Sequence, residues 1–259
     1  MDCYRCNFCS TNCIAVSTCI WDTCYCNFNN GEEVSTCEVI GDTFIFKTKP
    51  RFTISFLNFE DTYVKIYFKD DSELENIHLG TISGSIHANN FSAKNVTIKS
   101  TSGSQSLSDI KANKIEINGT SGSVKVENIS ADKVNIHSNS GSVTVDKVTC
   151  NDITVKNISG SIKLYDAYTN SAAINSTSGS IYIQGSPKGK TIIHNISGSI
   201  KVHTSLSKSD YGYKLSSTSG STKVDNETFK GSVGEDKDNF IDASNSSGSI
   251  KVYFNSMGE

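Results

Sequence analysis

Eight of the nine cysteines in this 259-residue chain lie before residue 40, and their spacing is the sequence's nearest approach to chemistry. Cys3-x2-Cys6-x2-Cys9-x3-Cys13 has the spacing of a ferredoxin cluster run, in which thiolates hold iron and sulfide. Ile14 stands where that run carries proline, and Cys19, Cys24 and Cys26 do not build a second run. A zinc knot competes, with Cys3 and Cys6 in one knuckle and Cys24 and Cys26 in another. Thiolates are soft ligands and suit zinc in a reducing compartment. Pairing into disulfides would suit an extracellular fate. Thioester lipidation would anchor the chain to a membrane. A reduced tail with no single role is the plainest reading. The candidate metal ligands are therefore Cys3, Cys6, Cys9, Cys13, Cys24 and Cys26, with zinc or an iron–sulfur cluster as the implied cofactor.

Serine is the second residue type with chemical potential. Ser-Gly-Ser recurs from Ser83, Ser102, Ser121, Ser140, Ser159, Ser178 and Ser197 at a fixed spacing of 19, and again from Ser219 and Ser247. A nucleophile has no use for nine near-identical copies. No Gly-x-Ser-x-Gly elbow is present, and no histidine keeps a fixed offset from the triplet. The triplets are instead corners: glycine adopts backbone angles that other residues resist, and small hydroxyls stack beside it. No catalytic residue is expected.

The elements that position these residues follow from the period, which is that of a solenoid. With Ser-Gly-Ser as positions 1 to 3, apolar residues fall at positions 4, 6, 9, 11, 14 and 16. One coil reads Val124, Val126, Ile129, Ala131, Val134 and Ile136. A step of two is a strand with alternate side chains inward, and each step of three turns a corner. β-Branched residues dominate, as strands favour. The fold expected is an all-β parallel β-solenoid of about nine coils, roughly 40 Å long at about 4.8 Å per coil. Residues 1–38 form a Cys-rich segment, 39–80 an N-terminal β cap with entry strands, and 81–254 the solenoid repeats.

The run Tyr63-Val64-Lys65-Ile66-Tyr67-Phe68, leading into Ile77-His78-Leu79-Gly80-Thr81-Ile82-Ser83-Gly84-Ser85-Ile86, resembles the entry to a bacterial adhesin-type β-strand repeat family, a domain of unknown function. That family repeats Thr-x-Ser-Gly-(Asp/Ser)-(Val/Ile). Here the third triplet position is always Ser. The resemblance covers about residues 39–254. It implies a β-solenoid without enzymatic activity, associated with the cell envelope or envelope stress in Gram-positive bacteria.

Position 5 faces outward and carries Lys125, Lys163, Lys201, Lys223 and Lys251, a column able to meet an anionic envelope polymer. A solvated column that keeps the sheet soluble is the competing reading. The period breaks after Ser197 and Ser219, and the excess over 227–242 is read as a loop insertion. Its Asp236 and Asp238, with Asp242, are candidate ligand residues, although their spacing is not that of an EF-hand. The last strand, Ile250 to Phe254, is expected to leave an open edge that could pair with a second copy or a protein partner.

The net charge is −3 and no long basic run occurs, which argues against nucleic acid. No 18-residue apolar stretch occurs, so no membrane span is expected. The start Met1-Asp2-Cys3-Tyr4-Arg5 lacks a basic region followed by an apolar run. The absence of a signal peptide favours the cytoplasm, whereas the family resemblance favours the envelope. An enzyme of the pectin-lyase sort, which also uses a parallel β-helix, would need clustered Asp, Lys or Arg on one outer face, and arginine occurs only at Arg5 and Arg51. The function expected is a non-enzymatic interaction surface. The rival is a metal or redox module carried by the cysteines, with the solenoid as scaffold.

Overall fold

The computed structural model describes residues 12–17, 24–28, 35–40, 43–48 and 64–68 as strands, and residues 73–256 continuously. Five strands precede the coils: β1 (Asn12–Ser17), β2 (Cys24–Phe28), β3 (Ser35–Ile40), β4 (Thr43–Thr48) and β5 (Val64–Phe68). Then β6 (Glu73–Ser83), β7 (Ile86–Ser102), β8 (Gln105–Ser121), β9 (Val124–Ser140) and β10 (Val143–Ser159) each run into a Ser-Gly-Ser corner. Later coils divide into β11 (Ile162–Tyr165) and β12 (Tyr168–Ser178), then β13 (Ile181–Gln184) and β14 (Lys190–Ser197). Next come β15 (Ile200–His203), a 3-10 turn at Lys208–Asp210 and β16 (Tyr211–Ser219). The chain closes with β17 (Thr222–Val224), β18 (Glu227–Thr228), β19 (Gly231–Val233), β20 (Asn239–Ser247) and β21 (Ile250–Tyr253).

Successive coils pair in parallel, in register at the 19-residue period. Val124 lies beside Val143 and Ser140 beside Ser159. The period-two pattern puts its apolar residues inside as expected: Val143, Val145, Val148, Ile153 and Val155 of one coil are at most 1% exposed. Cys150 sits at position 11 among the core residues, and burial pushes its thiol up to about 12. The corner between positions 6 and 9 is made by a left-handed residue at position 8. Asn90, Asp109, Asn128, Lys147 and Asp166 all have φ between 45° and 56°. Asn and Asp tolerate that conformation; Lys147 is the one long side chain among these five.

The glycines of the triplet serve more than conformation. At Gly141 φ is +115°, and a Cβ would fall 2.2 Å from the Gly122 carbonyl oxygen of the coil before. The same approach recurs from Gly103 to Gly198, so the coils stack backbone to backbone along this corner. At Gly84, in the first corner, the nearest atom among the described residues to such a Cβ is Thr81 Oγ1 at 3.9 Å.

At the far end the stacking order departs from chain order. Strand β20 lies between β14 and β16, and β21 lies between β15 and β17, all in parallel. The coil from Ser247 is thus threaded between the coils from Ser197 and Ser219. Gly248 stacks on Gly198, and Gly220 stacks on Gly248. Ile250, Val252 and Phe254, expected at an open edge, are buried at 0%, 0% and 6% exposure. The outermost coil is the one from Ser219, and the 227–242 insertion covers it. In place of a loop, β18 pairs antiparallel with β17, and β19 with β16. An edge strand offers unpaired backbone groups to other chains, and these short antiparallel strands occupy them.

At the other end β1 pairs antiparallel with both β6 and β4, and β4 with β3. A strand from within the cysteine-rich segment therefore joins the first coil directly. Strands β2 and β5 form a separate antiparallel pair. No helix among the described residues is long and apolar enough to cross a membrane.

Candidate ligand-binding faces

Strand alternation decides which side chains reach solvent. Positions 5 and 7 point outward just after each Ser-Gly-Ser corner, and positions 17 and 19 just before it. Two faces result, one on each side of the corner.

On the first face, lysines occupy alternate rungs from Lys125 to Lys201. Lys125, Thr144, Lys163, Tyr182 and Lys201 are register neighbours in succession. The last three coils all carry lysine at this position, and the threaded order sets which of them are neighbours. Lys251 is the partner of Lys201 on one side and of Lys223 on the other. Three ammonium-bearing residues thus occupy adjacent rungs, about 4.8 Å apart along the axis. Lys125 stands apart and is paired: its Nζ lies 2.6 Å from Glu127 Oε2. The hydrogen bond from Lys125 to Glu127 and the charge of Glu127 raise the Lys125 ammonium above its usual range.

Position 7 changes character along the same axis, from Glu127 and Asp146 to Tyr165, Gln184, His203 and Tyr253. Together with Tyr182 from position 5, the rings form a ladder. Centroid separations are 5.6 Å for Tyr165–Tyr182, 5.7 Å for Tyr182–His203 and 4.7 Å for the stacked His203–Tyr253 pair. The Lys201 ammonium sits 5.9 Å from the Tyr182 ring and 5.7 Å from the Tyr253 ring, within cation–π reach of both. Burial raises the Tyr182 phenol, and the neighbouring Tyr165 adds to this. Asp225 is occupied elsewhere: Lys208 Nζ is 3.6 Å from its Oδ2, and its Oδ1 accepts the Phe254 amide at 2.9 Å.

On the second face a trough of about 750 Å3 runs across the coils, from His137 at one end to Ser244 and Thr218 towards the other. Its walls are the outward columns at positions 17 and 19; its floor is the backbone of position 18, whose side chains point inward. That floor column is polar and inward, and the apolar pattern gave no sign of it. Ser138, Asn157, Ser176, Asn195 and Asn245 are all under 7% exposed. Asn157 and Asn195 donate through Nδ2 to the carbonyls of Gly141 and Gly179 at 3.0 and 2.9 Å, and Asn245 to that of Gly198 at 2.6 Å. The signal was available as a Thr, Ser or Asn two residues before nearly every triplet. Gly119 is the exception, and it leaves room for Gln105, buried at position 4, whose Nε2 donates to the Asn118 carbonyl at 3.4 Å.

The sequence model of the Toastrack DUF4097 family matches residues 41–207. The chain belongs to this family. Toastrack is a domain of unknown function, and the matched segment holds the coils that keep the strict period. The threaded coil and its hairpin cover lie beyond it. No curated protein and no solved structure matches the chain.

The other candidates in this Toastrack chain fall as follows. Asp236 and Asp238 are exposed, in the turn between β19 and β20, and Asp242 is half-buried in β20. Among the described residues no three His, Cys, Asp or Glu side chains come together in a way that could hold a metal ion. Cys3, Cys6 and Cys9 lie outside the described residues. Cys13 is in β1, opposite Lys47 and Gly80, while Cys24 and Cys26 are in β2, opposite Phe68 and Ile66. The side chains of these strands lie outside the described residues as well.

Proposed function

We propose that this chain is a non-enzymatic binding scaffold whose lysine and tyrosine face takes an extended anionic polymer of the bacterial cell envelope. The observation that carries the reading is the adjacency of Lys201, Lys251 and Lys223 on three rungs, beside the rings of Tyr182 and Tyr253. A rigid row of like charges repels itself, and a polyanion lying along the axis relieves that repulsion at every rung. The rings add an apolar surface against which the polymer's carbon skeleton packs. Carboxylates on the coils below, at Glu127 and Asp146, confine the cationic patch to the far half of the solenoid.

Binding of poly(glycerol phosphate), followed by calorimetry at several salt concentrations, tests this. The affinity of the parent should fall steeply with salt, since exposed charges are screened beyond about 8–10 Å at ordinary ionic strength. Reversing Lys201→Glu and Lys251→Glu together should weaken binding by about a hundredfold, at about 1.4 kcal/mol per tenfold. Lys125→Glu should change it less than threefold, which is below about 0.7 kcal/mol. Equal effects from both changes would refute the assignment.

A further inference from the structure

His194 and Ser244 are 50 residues apart in the chain, and the placement of β20 beside β14 makes them register neighbours. Both occupy position 17, so both side chains point outward and line the trough. His194 Nδ1 and Ser244 Oγ are 2.5 Å apart. A neutral imidazole carries its proton on one nitrogen and accepts on the other. With the proton on Nε2, Nδ1 accepts the Ser244 hydroxyl, which is the arrangement of a serine nucleophile beside its general base. His194 is exposed, so water solvates the imidazolium that forms when it takes that proton. Asp242 precedes Ser244 by two residues on the same outward face, and its carboxylate favours the same charge.

Neighbouring serines lack one part or another of this arrangement. Ser216, on the next rung of the same column, has Ser244 beside it in place of an imidazole. Ser256 Oγ lies 2.8 Å from His203 Nδ1, but that ring is 7% exposed, and burial disfavours the imidazolium that proton transfer would create.

The trough also supplies a surface for a substrate. Ile196 follows His194 by two residues, stands on the same outward face and is 57% exposed. Ile158, 53% exposed, lines the same trough two rungs further from Ser244, about 10 Å along the axis. An aliphatic chain lying over Ile158 and Ile196 brings its end to the rung of Ser244. A phosphoryl group would gain nothing from either isoleucine.

We infer that Ser244 is a site of covalent acylation, taking an aliphatic acyl group from an activated ester or thioester. The Ser244 oxygen attacks the acyl carbonyl carbon and its proton passes to His194 Nδ1. The bond from that carbon to the leaving oxygen or sulfur breaks, and the proton departs from His194 on the leaving atom. The product is an ester on Ser244, and the solenoid remains the scaffold that carries it. The site is separate from the lysine and tyrosine face and stands or falls independently of it.

The test treats the full chain with p-nitrophenyl hexanoate and with p-nitrophenyl acetate, and maps acylated residues over time by peptide mass spectrometry. Ser216 and Ser246 line the same trough and are the internal comparators. Ser244 should be labelled at least about tenfold faster than either, the lower end of what a positioned general base contributes. His194→Ala should slow Ser244 to the rate of Ser216, and acidification of the parent should do the same, because an imidazolium accepts no proton. His194 is exposed, so the melting temperature of this variant should match the parent. Measured against Ser216, hexanoate should favour Ser244 more than acetate does. Ile196→Asp should abolish that preference and leave acetate labelling unchanged. The Lys201→Glu, Lys251→Glu pair should leave every rate unchanged. Labelling of Ser244 no faster than Ser216, undiminished labelling in His194→Ala, an acyl group resting on His194 in place of Ser244, or no preference for hexanoate in the parent would each overturn the proposal.

Discussion

Truncation after Asp238 removes β20 and β21, the coil threaded between its neighbours, and its consequence differs from that of trimming an ordinary solenoid end. In a repeat array where each coil touches only its neighbours, losing the last coil should spare the rest. Here β16 and β17 hold their parallel pairing to the solenoid only through β20 and β21. The deletion takes away the buried side chains of Ile241, Ile250, Val252 and Phe254. At about 1.5–3 kcal/mol each, that is about 6–12 kcal/mol of apolar burial. A whole domain is stable by only about 5–15 kcal/mol, so residues 205–238 should not remain docked. Hydrogen exchange read by mass spectrometry gives the answer region by region. Amides of 211–224 should lose protection together, although they are still in the chain. Those of β14 and β15 should weaken, because one side of each is uncovered, and those of β7 to β10 should be unchanged. Retained protection across 211–224, with the parent's melting temperature, would refute the claim that the last coil wedges the outer one in place.

Three further outcomes follow from the geometry. Gly141→Ala should cost about 2–6 kcal/mol, from left-handed backbone strain and the forced separation of two coils. Gly84→Ala, with no atom of the described residues closer than 3.9 Å to its Cβ, should cost only the strain of about 1–3 kcal/mol, and chemical denaturation of the two variants measures the gap. Lys147→Asn replaces a long side chain at φ 50° with one that tolerates that conformation, and should raise stability by about 1 kcal/mol in the same assay. Tyr211, 2% exposed, donates its hydroxyl to the Pro187 carbonyl at 2.6 Å, and burial raises its phenol above the ordinary range. A raised folded value means the folded state keeps its proton longer, so stability is intact below the unfolded tyrosine pKa of about 10 and falls as pH rises beyond it. Tyr211→Phe should cost about 1–2 kcal/mol near neutral pH, and the difference from the parent should narrow in alkaline melts.

The inward columns were legible because a strand's period is two and a corner adds one residue, so Val124, Val126, Ile129, Val134 and Ile136 announce their burial by spacing alone. The corner glycines were legible as well, but only half of their reason was. Conformation can be inferred from a residue type, whereas the 2.2 Å approach of Gly141 to Gly122 exists only once two coils are stacked. The polar floor column was missed because Ser, Thr and Asn carry no burial signal in an apolar count, and the asparagines are inside here through hydrogen bonds to the glycine carbonyls.

Sequence by itself determined the repeat: its period, its inward faces, its corners, and the outward position of the lysines. These are local properties, set by steric preference and by the alternation of side chains within one coil. Tertiary structure alone decided the order in which the last coils stack, and with it which lysines are neighbours. Every coil presents the same backbone edge and the same triplet to the next, so the repeat motif cannot say which coil follows which. The longer connections after Ser197 and Ser219 give the chain the reach to place Ser247 between them. That placement sets Lys251, in place of Lys223, beside Lys201 and stacks Tyr253 on His203, so the end of the ring ladder beside the lysines is a product of threading.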